Sequence, residues 1–304
     1  MLRNTTEFRL QVSTSNGTLD LPQINPSITL SGRQSKVIVT DYAFGTSRAL
    51  YSTASVLFAG QIGSRDVLFL FGDADQEHEA AIPFTGKSGV RAASSSIKFT
   101  PSGESSSSET IVSVLSGVRG LVTLWDSDTQ LVLYSDSDTA STFFAPVIPS
   151  TSTSGDEETF KNYWQFGTNS TALIGGPYLV RNVSISGSTL NIRGDLNATA
   201  MLNVVAPPQV KRVTWNGQEV EPMAKASSAL STVGGFVGQV SPRVSANAIR
   251  IPKLESWKFA DSLPEIQSDF SDDSWLIANH TTTNIPFKPY YGDGRVLYGC
   301  DYGL

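Results

Sequence analysis

Short runs of β-branched and aromatic residues, separated by turn residues about every ten positions, dominate this chain and constrain its fold. Residues 67–71, Val-Leu-Phe-Leu-Phe, form an uninterrupted apolar run, whereas residues 8–12 alternate between apolar and polar. The first pattern predicts a strand buried on both faces, and the second predicts a strand with one buried and one solvent-exposed face. Because no long stretch repeats every 3.6 residues, the sequence predicts an all-β fold of sandwich or barrel type.

Turn sequences at 126–128, 186–188 and 216–217 each separate two candidate strands. Asn216-Gly217 is the strongest short-range signal for a type I′ turn. These three positions therefore predict hairpins. Further single strands are predicted at 36–40, 97–100 and 111–115.

The length of 304 residues favours two domains or three small modules. Residues 145–158 are rich in Pro, Ser and acidic residues, which is typical of a linker. We therefore predict modules at 1–147, 148–250 with the linker included, and 251–304. The last module ends in a strand-like run at Leu304 with no partner strands following, so we expect it to be truncated.

Composition excludes several classes of protein. Charged residues are 16% of the chain and the net charge is −6, so nucleic acid and anionic lipid are not expected partners. Cys300 is the single cysteine, which rules out an internal disulfide and a cysteine-based zinc cage. No apolar run reaches the length of a membrane span, and none near Met1 reaches that of a signal peptide.

Six Asn-x-Ser/Thr triplets suggest a glycosylated, exported protein, although an abundance of Ser and Thr alone also creates such triplets. The candidate acceptors are Asn4, Asn16, Asn169, Asn182, Asn197 and Asn279. Export conflicts with the absence of a signal-like start. We therefore expect a segment upstream of Met1.

Two motifs resemble known functional motifs, but each lacks a feature that the function requires. Residues 81–88 match a relaxed phosphate loop, but Pro83 removes a backbone amide and no helix is predicted to follow. The sequence from His78 to Ile82 resembles a zinc-protease motif, but Ile82 stands where the second histidine should be. With two histidines in the chain, no metal site and no cofactor are expected, and His78 is predicted at a strand end or on the surface.

The sequence also gives little support for the catalytic residues of a hydrolase. No Gly-x-Ser-x-Gly elbow accompanies His280 to form a triad. The closely spaced acid pairs 77/79, 157/158 and 272/273 are expected to be solvated rather than to face each other across a sugar. The five tryptophans are expected mainly in cores, with Trp164 and Trp275 as the leading candidates for sugar contact because they lie near polar turns.

Three groups of sequence strings resemble, in order, consecutive domains of the large secreted fungal β-galactosidases of glycoside hydrolase family 35. The second domain is suggested by residues 40–42, 50–54, 67–72 and 77–79. The third domain is suggested by residues 176–181, 194–199 and 213–217. The start of the first jelly-roll domain is suggested by residues 257–266, 272–275, 280–283 and 301–303.

The resemblance implies consecutive antiparallel β-sandwich or Greek-key modules and a truncated jelly roll. In this family a (β/α)₈ barrel removes terminal β-galactosyl residues with two glutamates, but a barrel needs about 250 residues, which this chain does not have beside its β modules. No catalytic residue is therefore assigned here. We expect a non-catalytic accessory portion whose partners are the barrel and the remaining jelly rolls. The resemblance implies secretion for the full-length family, whereas the location of this chain, which lacks a signal peptide, is left open. The alternatives are a separate carbohydrate-binding or adhesive protein, with galactosides as ligands, and an independently active hydrolase.

Overall fold

The computed structural model describes residues 5–14, 17–87, 89–91, 94–101, 109–146, 148, 171–223, 235–242, 257–259, 268–271, 273 and 276–278. In this part of the chain the regular structure is β-strand apart from one short helix, so the predicted all-β class is confirmed.

The strands up to residue 136, followed by the helix, are β1 (Thr5–Phe8), β2 (Leu10–Thr14), β3 (Gly17–Leu21), β4 (Ile28–Ser31), β5 (Val39–Phe44), β6 (Ser47–Ser52), β7 (Ser55–Ile62), β8 (Arg65–Gly72), β9 (His78–Pro83), β10 (Val90–Arg91), β11 (Ile97–Pro101), β12 (Glu109–Val114), β13 (Leu121–Asp126), β14 (Gln130–Asp136) and α1 (Ser137–Ala140).

The strands after the helix are β15 (Leu173–Gly175), β16 (Leu179–Ser186), β17 (Thr189–Asp195), β18 (Ala200–Val205), β19 (Arg212–Trp215), β20 (Gln218–Glu219), β21 (Gly235–Val240), β22 (Trp257–Phe259) and β23 (Leu276–Ala278).

Two five-stranded sheets form the first sandwich. Their strand orders are β11-β12-β9-β6-β5 and β10-β13-β14-β8-β7. Ala80 and Ile82 of β9 share one apolar core with Leu68 and Leu70 of β8, which places the two sheets face to face. The pairing of β14 with β8 is parallel, so the sandwich is not purely antiparallel.

Strand β8 is buried on both faces, as its continuous apolar run predicts. Leu68 and Leu70 enter the core of the first sandwich, while Val67 and Phe69 point to the opposite face because side chains alternate along a strand. All four side chains are at most 1% exposed. On that opposite face Val67 and Phe69 join an apolar cluster to which the second sandwich contributes Leu173, Val205 and Val237.

The second sandwich consists of a three-stranded sheet, β15-β18-β21, and a four-stranded sheet, β16-β17-β19-β20. Its core joins Ile174 and Leu202 from the first sheet with Leu190 and Trp215 from the second. Here β17 and β19 are parallel. The three-stranded sheet thus packs on its own partner sheet with one face and on the first sandwich with the other.

The N-terminal strands cover the outer face of the first sandwich. β1 pairs with β4 and β2 pairs with β3, both antiparallel. Leu21 and Ile28 from this segment pack with Tyr51, Ala81 and Ile111 of the sheet beneath. The segment therefore adds a further layer to the stack.

The three predicted hairpins are present. The strands on either side of 126–128 and of 186–188 pair antiparallel. Asn216 and Gly217 have φ values of 50° and 83°, and these two positive angles are those that a type I′ turn requires. The turn joins β19 to β20.

Two predicted strands differ in their limits. The run 8–12 is divided at Arg9, whose guanidinium donates to the carbonyls of Pro22 and Pro26. The predicted strand 36–40 begins only at Val39. Before it, the Lys36 ammonium reaches the side chain of Gln76 at 2.8 Å, so this segment serves a polar network instead of a sheet.

The chain divides into two compact units, residues 1–243 and residues 244–304. Both sandwiches belong to the first unit. In the second unit, β22 and β23 form an antiparallel pair. The boundaries near 147 and 250, and the truncated jelly roll, stay predictions, and most of the linker 145–158 lies outside the described residues.

Phe69→Ala should destabilise the first unit by about 3–5 kcal/mol, because the Phe69 side chain is 0% exposed. Its ring also meets the Phe143 ring edge to face, with the ring centroids 4.8 Å apart. Urea unfolding followed by far-UV circular dichroism measures the effect. Val37→Ala, at a side chain that is 70% exposed, should change the stability by less than about 0.5 kcal/mol. Equal effects of the two substitutions would contradict the shared core.

Candidate functional site

The two tryptophans favoured for sugar contact, Trp164 and Trp275, lie outside the described residues, as do the glycosylation candidates Asn4, Asn16, Asn169 and Asn279. Asn182 and Asn197 are described, and both are exposed. The structure therefore permits a direct account of two of the six candidate glycosylation sites.

The relaxed phosphate motif at 81–88 has no phosphate-loop geometry. Its first residues belong to β9, where Ala81 and Ile82 are buried among apolar neighbours. Lys87 is exposed, and its backbone amide donates to Asp128 at 2.8 Å. The rejection of a phosphate loop on sequence grounds agrees with this placement.

His78 begins β9 and is 1% exposed, so its predicted place at a strand end is confirmed and the surface alternative is wrong. Its Nε2 lies 3.1 Å from the carbonyl oxygen of Asp73, and its ring lies 5.9 Å from that of Tyr134. Burial, and secondarily the charge of Lys36, lowers the pKa of His78 to about 4. The imidazole is neutral in the folded protein at neutral pH.

Glu79 is a buried carboxylate at the centre of a set of donors. It accepts hydrogen bonds from the backbone amides of Gln23, Ile24 and Asn25, at 2.6, 3.0 and 2.7 Å, and from the hydroxyl of Tyr51 at 2.6 Å. Consecutive amides that converge in this way form an anion-binding concavity, here filled by the chain's own side chain. The expectation that Glu77 and Glu79 are both solvated is wrong for Glu79, which is 1% exposed.

The loop at residues 22–26, whose amides donate to Glu79, also contacts Arg9 through its carbonyl groups. The Arg9 guanidinium donates to the carbonyl oxygens of Asn25 and Pro26, at 3.4 and 3.0 Å, and to that of Pro22 at 2.5 Å. The loop thus presents its amides to a carboxylate and its carbonyls to a cation. This fixes the N-terminal layer on the sheet below.

Asp66 is the acidic residue in a polar cleft at one end of the first sandwich. The cleft is lined by Thr46, Ser47, Arg48, Gln61, Ser64, Asp66, Pro83, Thr85 and Thr129.

Four donors surround the Asp66 carboxylate: the amide and hydroxyl of Thr46, the hydroxyl of Ser47 and the side-chain amide of Gln61, at 2.7–3.0 Å. Burial alone would raise the pKa of Asp66, but the hydrogen bonds from Thr46, Gln61 and Ser47 bring it below its ordinary value. Gly45 approaches so closely that a Cβ there would lie 2.0 Å from the carboxylate.

The other buried carboxylates in the described residues are Asp126 and Asp136. Asp126 pairs with Arg65, and both side chains are nearly inaccessible. Asp136 caps α1 by accepting from the amide and hydroxyl of Thr139, and it also accepts from the Gly120 amide at 2.6 Å. Each buried carboxylate is therefore engaged by internal donors. A general acid or nucleophile must instead face its substrate.

The two tryptophans with described side chains serve as packing residues. The Trp125 ring stacks on Phe84, with centroids 4.9 Å apart, and its Nε1 donates to the carbonyl of Thr85. Trp215 is 6% exposed in the second core. Their roles match the expectation that large aromatics fill cores.

No group of three His, Cys, Asp or Glu side chains suited to a metal ion occurs within the described ranges. None of the helices there has the length and apolarity needed to cross a bilayer.

The fold and these contacts define a class of protein: a layered all-β module whose buried carboxylates, in the part of the chain that the structure describes, are bound by its own donors. Comparison with known families is more specific. The family model described as β-galactosidase, domain 2 matches residues 2–143, and that described as β-galactosidase, domain 3 matches residues 144–231. The chain belongs to the β-galactosidase family and carries these two domains.

Similar proteins are found in Aspergillus niger and Penicillium rubens. Probable β-galactosidases C and B of Aspergillus niger are 35% and 36% identical to this chain over 97% and 98% of its length. Probable β-galactosidase B of Penicillium rubens is 34% identical over 98%. The chain spans 27% of the length of each of these relatives.

Sequence reasoning missed Glu79 and Asp66. A signal existed for Glu79, which directly precedes the apolar residues 80–82 and so stands inside a buried strand. Asp66 likewise directly precedes the apolar run of β8. An acidic residue within a continuous apolar strand must find internal donors, because burying an unpaired charge is costly.

Glu79→Gln should destabilise the protein by about 3 kcal/mol or more, because the amide replaces a charged acceptor of several hydrogen bonds. Urea unfolding measures the loss, and faster trypsin cleavage after Arg9 reports release of the N-terminal layer. Glu77→Gln, two residues away and partly exposed, is the matched control and should change little. A Glu79→Gln protein as stable as this control would contradict the anchoring role.

His78 should make stability depend on pH. Its folded pKa of about 4 lies below the ordinary 6.5, so the unfolded chain binds more protons and stability falls as the pH is lowered between these values. The shift corresponds to about 3 kcal/mol. Asp66 and Asp136, whose pKa values are lowered from 3.8, lose their contributions only in more acidic solution.

His78→Gln should remove this part of the pH dependence, whereas His280→Gln, at the chain's other histidine, should retain it. Free energies of unfolding measured across the pH range from His78's folded pKa to neutrality provide the comparison. If the free energy of unfolding of His78→Gln changed with pH as steeply as that of the unsubstituted protein, another group would be responsible for the pH dependence.

Proposed function

We propose that this chain is a non-catalytic accessory portion of a β-galactosidase and that it supports a catalytic (β/α)₈ barrel contributed from outside these 304 residues. The full protein would then release terminal β-galactosyl residues from carbohydrates. The match of residues 2–231 to β-galactosidase domains 2 and 3 carries this proposal.

The engagement of the buried carboxylates supports a structural role. A retaining glycosidase needs two carboxyl groups about 5–5.5 Å apart, facing the sugar. Glu79 and Asp66 each accept four hydrogen bonds from groups in their own module. Exchanging these donors for a substrate would expose the amides and hydroxyls that the carboxylates now satisfy.

The continuity of the cores also suits a supporting role. One face of the sheet containing β8 packs within the first sandwich and the other packs on the second sandwich. Close-packed layers transmit strain and resist deformation. A stack of this kind can hold a neighbouring domain in a fixed position.

The carbohydrate-binding alternative receives no support from Trp125 and Trp215, which are engaged in packing. Its leading residues, Trp164 and Trp275, are outside the described part of the chain. Titration with galactose or galactan, followed by tryptophan fluorescence, separates the two functions. A saturable shift would favour binding, whereas a supporting module should show none.

A segment exchange tests the supporting role. The purified chain alone should not release nitrophenol from a nitrophenyl β-galactoside. Placed in Aspergillus niger probable β-galactosidase C in exchange for the matching segment, it should retain hydrolytic activity, whereas deletion of that segment should abolish it. Turnover by the isolated chain, lost on denaturation, would overturn the non-catalytic assignment. A folded, monodisperse but inactive exchange protein would contradict the supporting role.

A further inference from the structure

We propose that Asn216 is a site of spontaneous deamidation that the folded second sandwich suppresses, and that conversion there loosens the β19–β20 hairpin from β17. This inference goes beyond the proposed function, because the reaction consumes only water and needs no galactoside.

The side chain of Asn216 extends the pairing between β17 and β19. Regular parallel pairing ends at Ile192 and Trp215, and the backbone amide of Asn216 donates to the carbonyl oxygen of Ile192 at 2.8 Å. Beyond that point, Oδ1 of Asn216 accepts from the Gly194 amide at 3.0 Å, and Nδ2 donates to the Gly194 carbonyl oxygen at 2.9 Å. One side chain thus offers both an acceptor and a donor to a single residue of the neighbouring strand.

Asn216 precedes Gly217, and this order favours an intramolecular reaction, because glycine has no Cβ to hinder the approach to its nitrogen. The Gly217 nitrogen forms a bond to Cγ of Asn216, the bond from Cγ to Nδ2 breaks, and Nδ2 leaves as ammonia with the proton of the Gly217 nitrogen. Water then opens the resulting succinimide at either of its two ring carbon–nitrogen bonds. The product is aspartate, or isoaspartate in which the main chain runs through the side-chain carbon.

The folded sandwich opposes the first step by holding the carboxamide, not by burying it. Asn216 is exposed, so water reaches it. Its Cγ can turn back to the Gly217 nitrogen only if both hydrogen bonds to Gly194 break. Gly194 cannot follow, because a Cβ there would lie 2.1 Å from the Leu179 carbonyl oxygen and 2.6 Å from the Trp215 ring, so its backbone is enclosed. The reaction therefore requires local opening of the β19–β20 hairpin.

Either product removes part of the link to Gly194. An aspartate carboxylate can accept from the Gly194 amide but cannot donate to the Gly194 carbonyl, so two oxygen atoms would face each other without a proton between them. Isoaspartate adds one carbon to the main chain of a two-residue type I′ turn, whose backbone angles fix the hairpin. Conversion thus favours the open hairpin in which the reaction takes place.

Peptide mapping of the 304-residue chain, made in a bacterial host that adds no N-linked glycans, tests the proposal. Trypsin releases peptide 213–225, in which Asn216 is the single asparagine, and peptide 10–33, which contains Asn16, the chain's other asparagine before a glycine. In mildly alkaline buffer with urea, both asparagines should convert at comparable rates. Without urea, Asn216 should convert at least about tenfold more slowly than in urea, because two hydrogen bonds must first break. Equal rates at Asn216 with and without urea, or no conversion in urea, would overturn the proposal.

Two matched substitutions locate the opening. Val213 of β19 and Val112 of β12 are each 1% exposed, the first in the core of the second sandwich and the other in that of the first. Val213→Ala should accelerate conversion of Asn216 in the folded protein several-fold, because it weakens the packing that keeps the hairpin closed. Val112→Ala should leave the rate unchanged. Equal acceleration by both would show that conversion follows unfolding of the whole unit and would contradict local opening.

Asn216→Asp reproduces one product directly and tests the loosening. It should lower the urea concentration at the midpoint of unfolding. Asn191→Asp, in the same sheet, is the matched control and should shift the midpoint less, because Oδ1 of Asn191 accepts from the Thr214 hydroxyl at 2.9 Å and a carboxylate can still accept. A midpoint for Asn216→Asp equal to that of the unsubstituted chain would show that the donor to Gly194 is dispensable.

Discussion

The double-sided burial of β8 is the constraint on which the described architecture depends. Its side chains alternate between two apolar cores, with Leu68 and Leu70 on one side and Val67 and Phe69 on the other. Neither sandwich can move away from this strand without exposing large side chains to water. A single run of apolar residues thus joins two modules that are matched by two different family models.

Charge is used in this fold to hold loops in place. Glu79 accepts hydrogen bonds from three backbone amides of the N-terminal loop, while Arg9 donates hydrogen bonds to carbonyls of the same loop. Asp66 orders the segment around Thr46 in the same manner. These carboxylates show that burial of an acid in a glycosidase-related chain is not by itself a sign of catalysis. The decisive question is whether the oxygens face internal donors or a substrate.

The proposed supporting role fits the arrangement of the sheets. The three-stranded sheet of the second sandwich packs on its own partner sheet with one face and on the first sandwich with the other. Close-packed layers of this kind resist deformation, as a supporting module requires.

The sequence alone determined the strand pattern, the hairpins and the family, because period-2 alternation, continuous apolar runs and Asn216-Gly217 are local signals. It did not predict that His78 and Glu79 are buried. It also did not predict that the two sandwiches share an apolar cluster instead of forming independent modules. The tertiary structure decided these points. The donors to Glu79 lie 28 to 56 residues away along the chain, so only the folded arrangement of the layers brings them to one carboxylate.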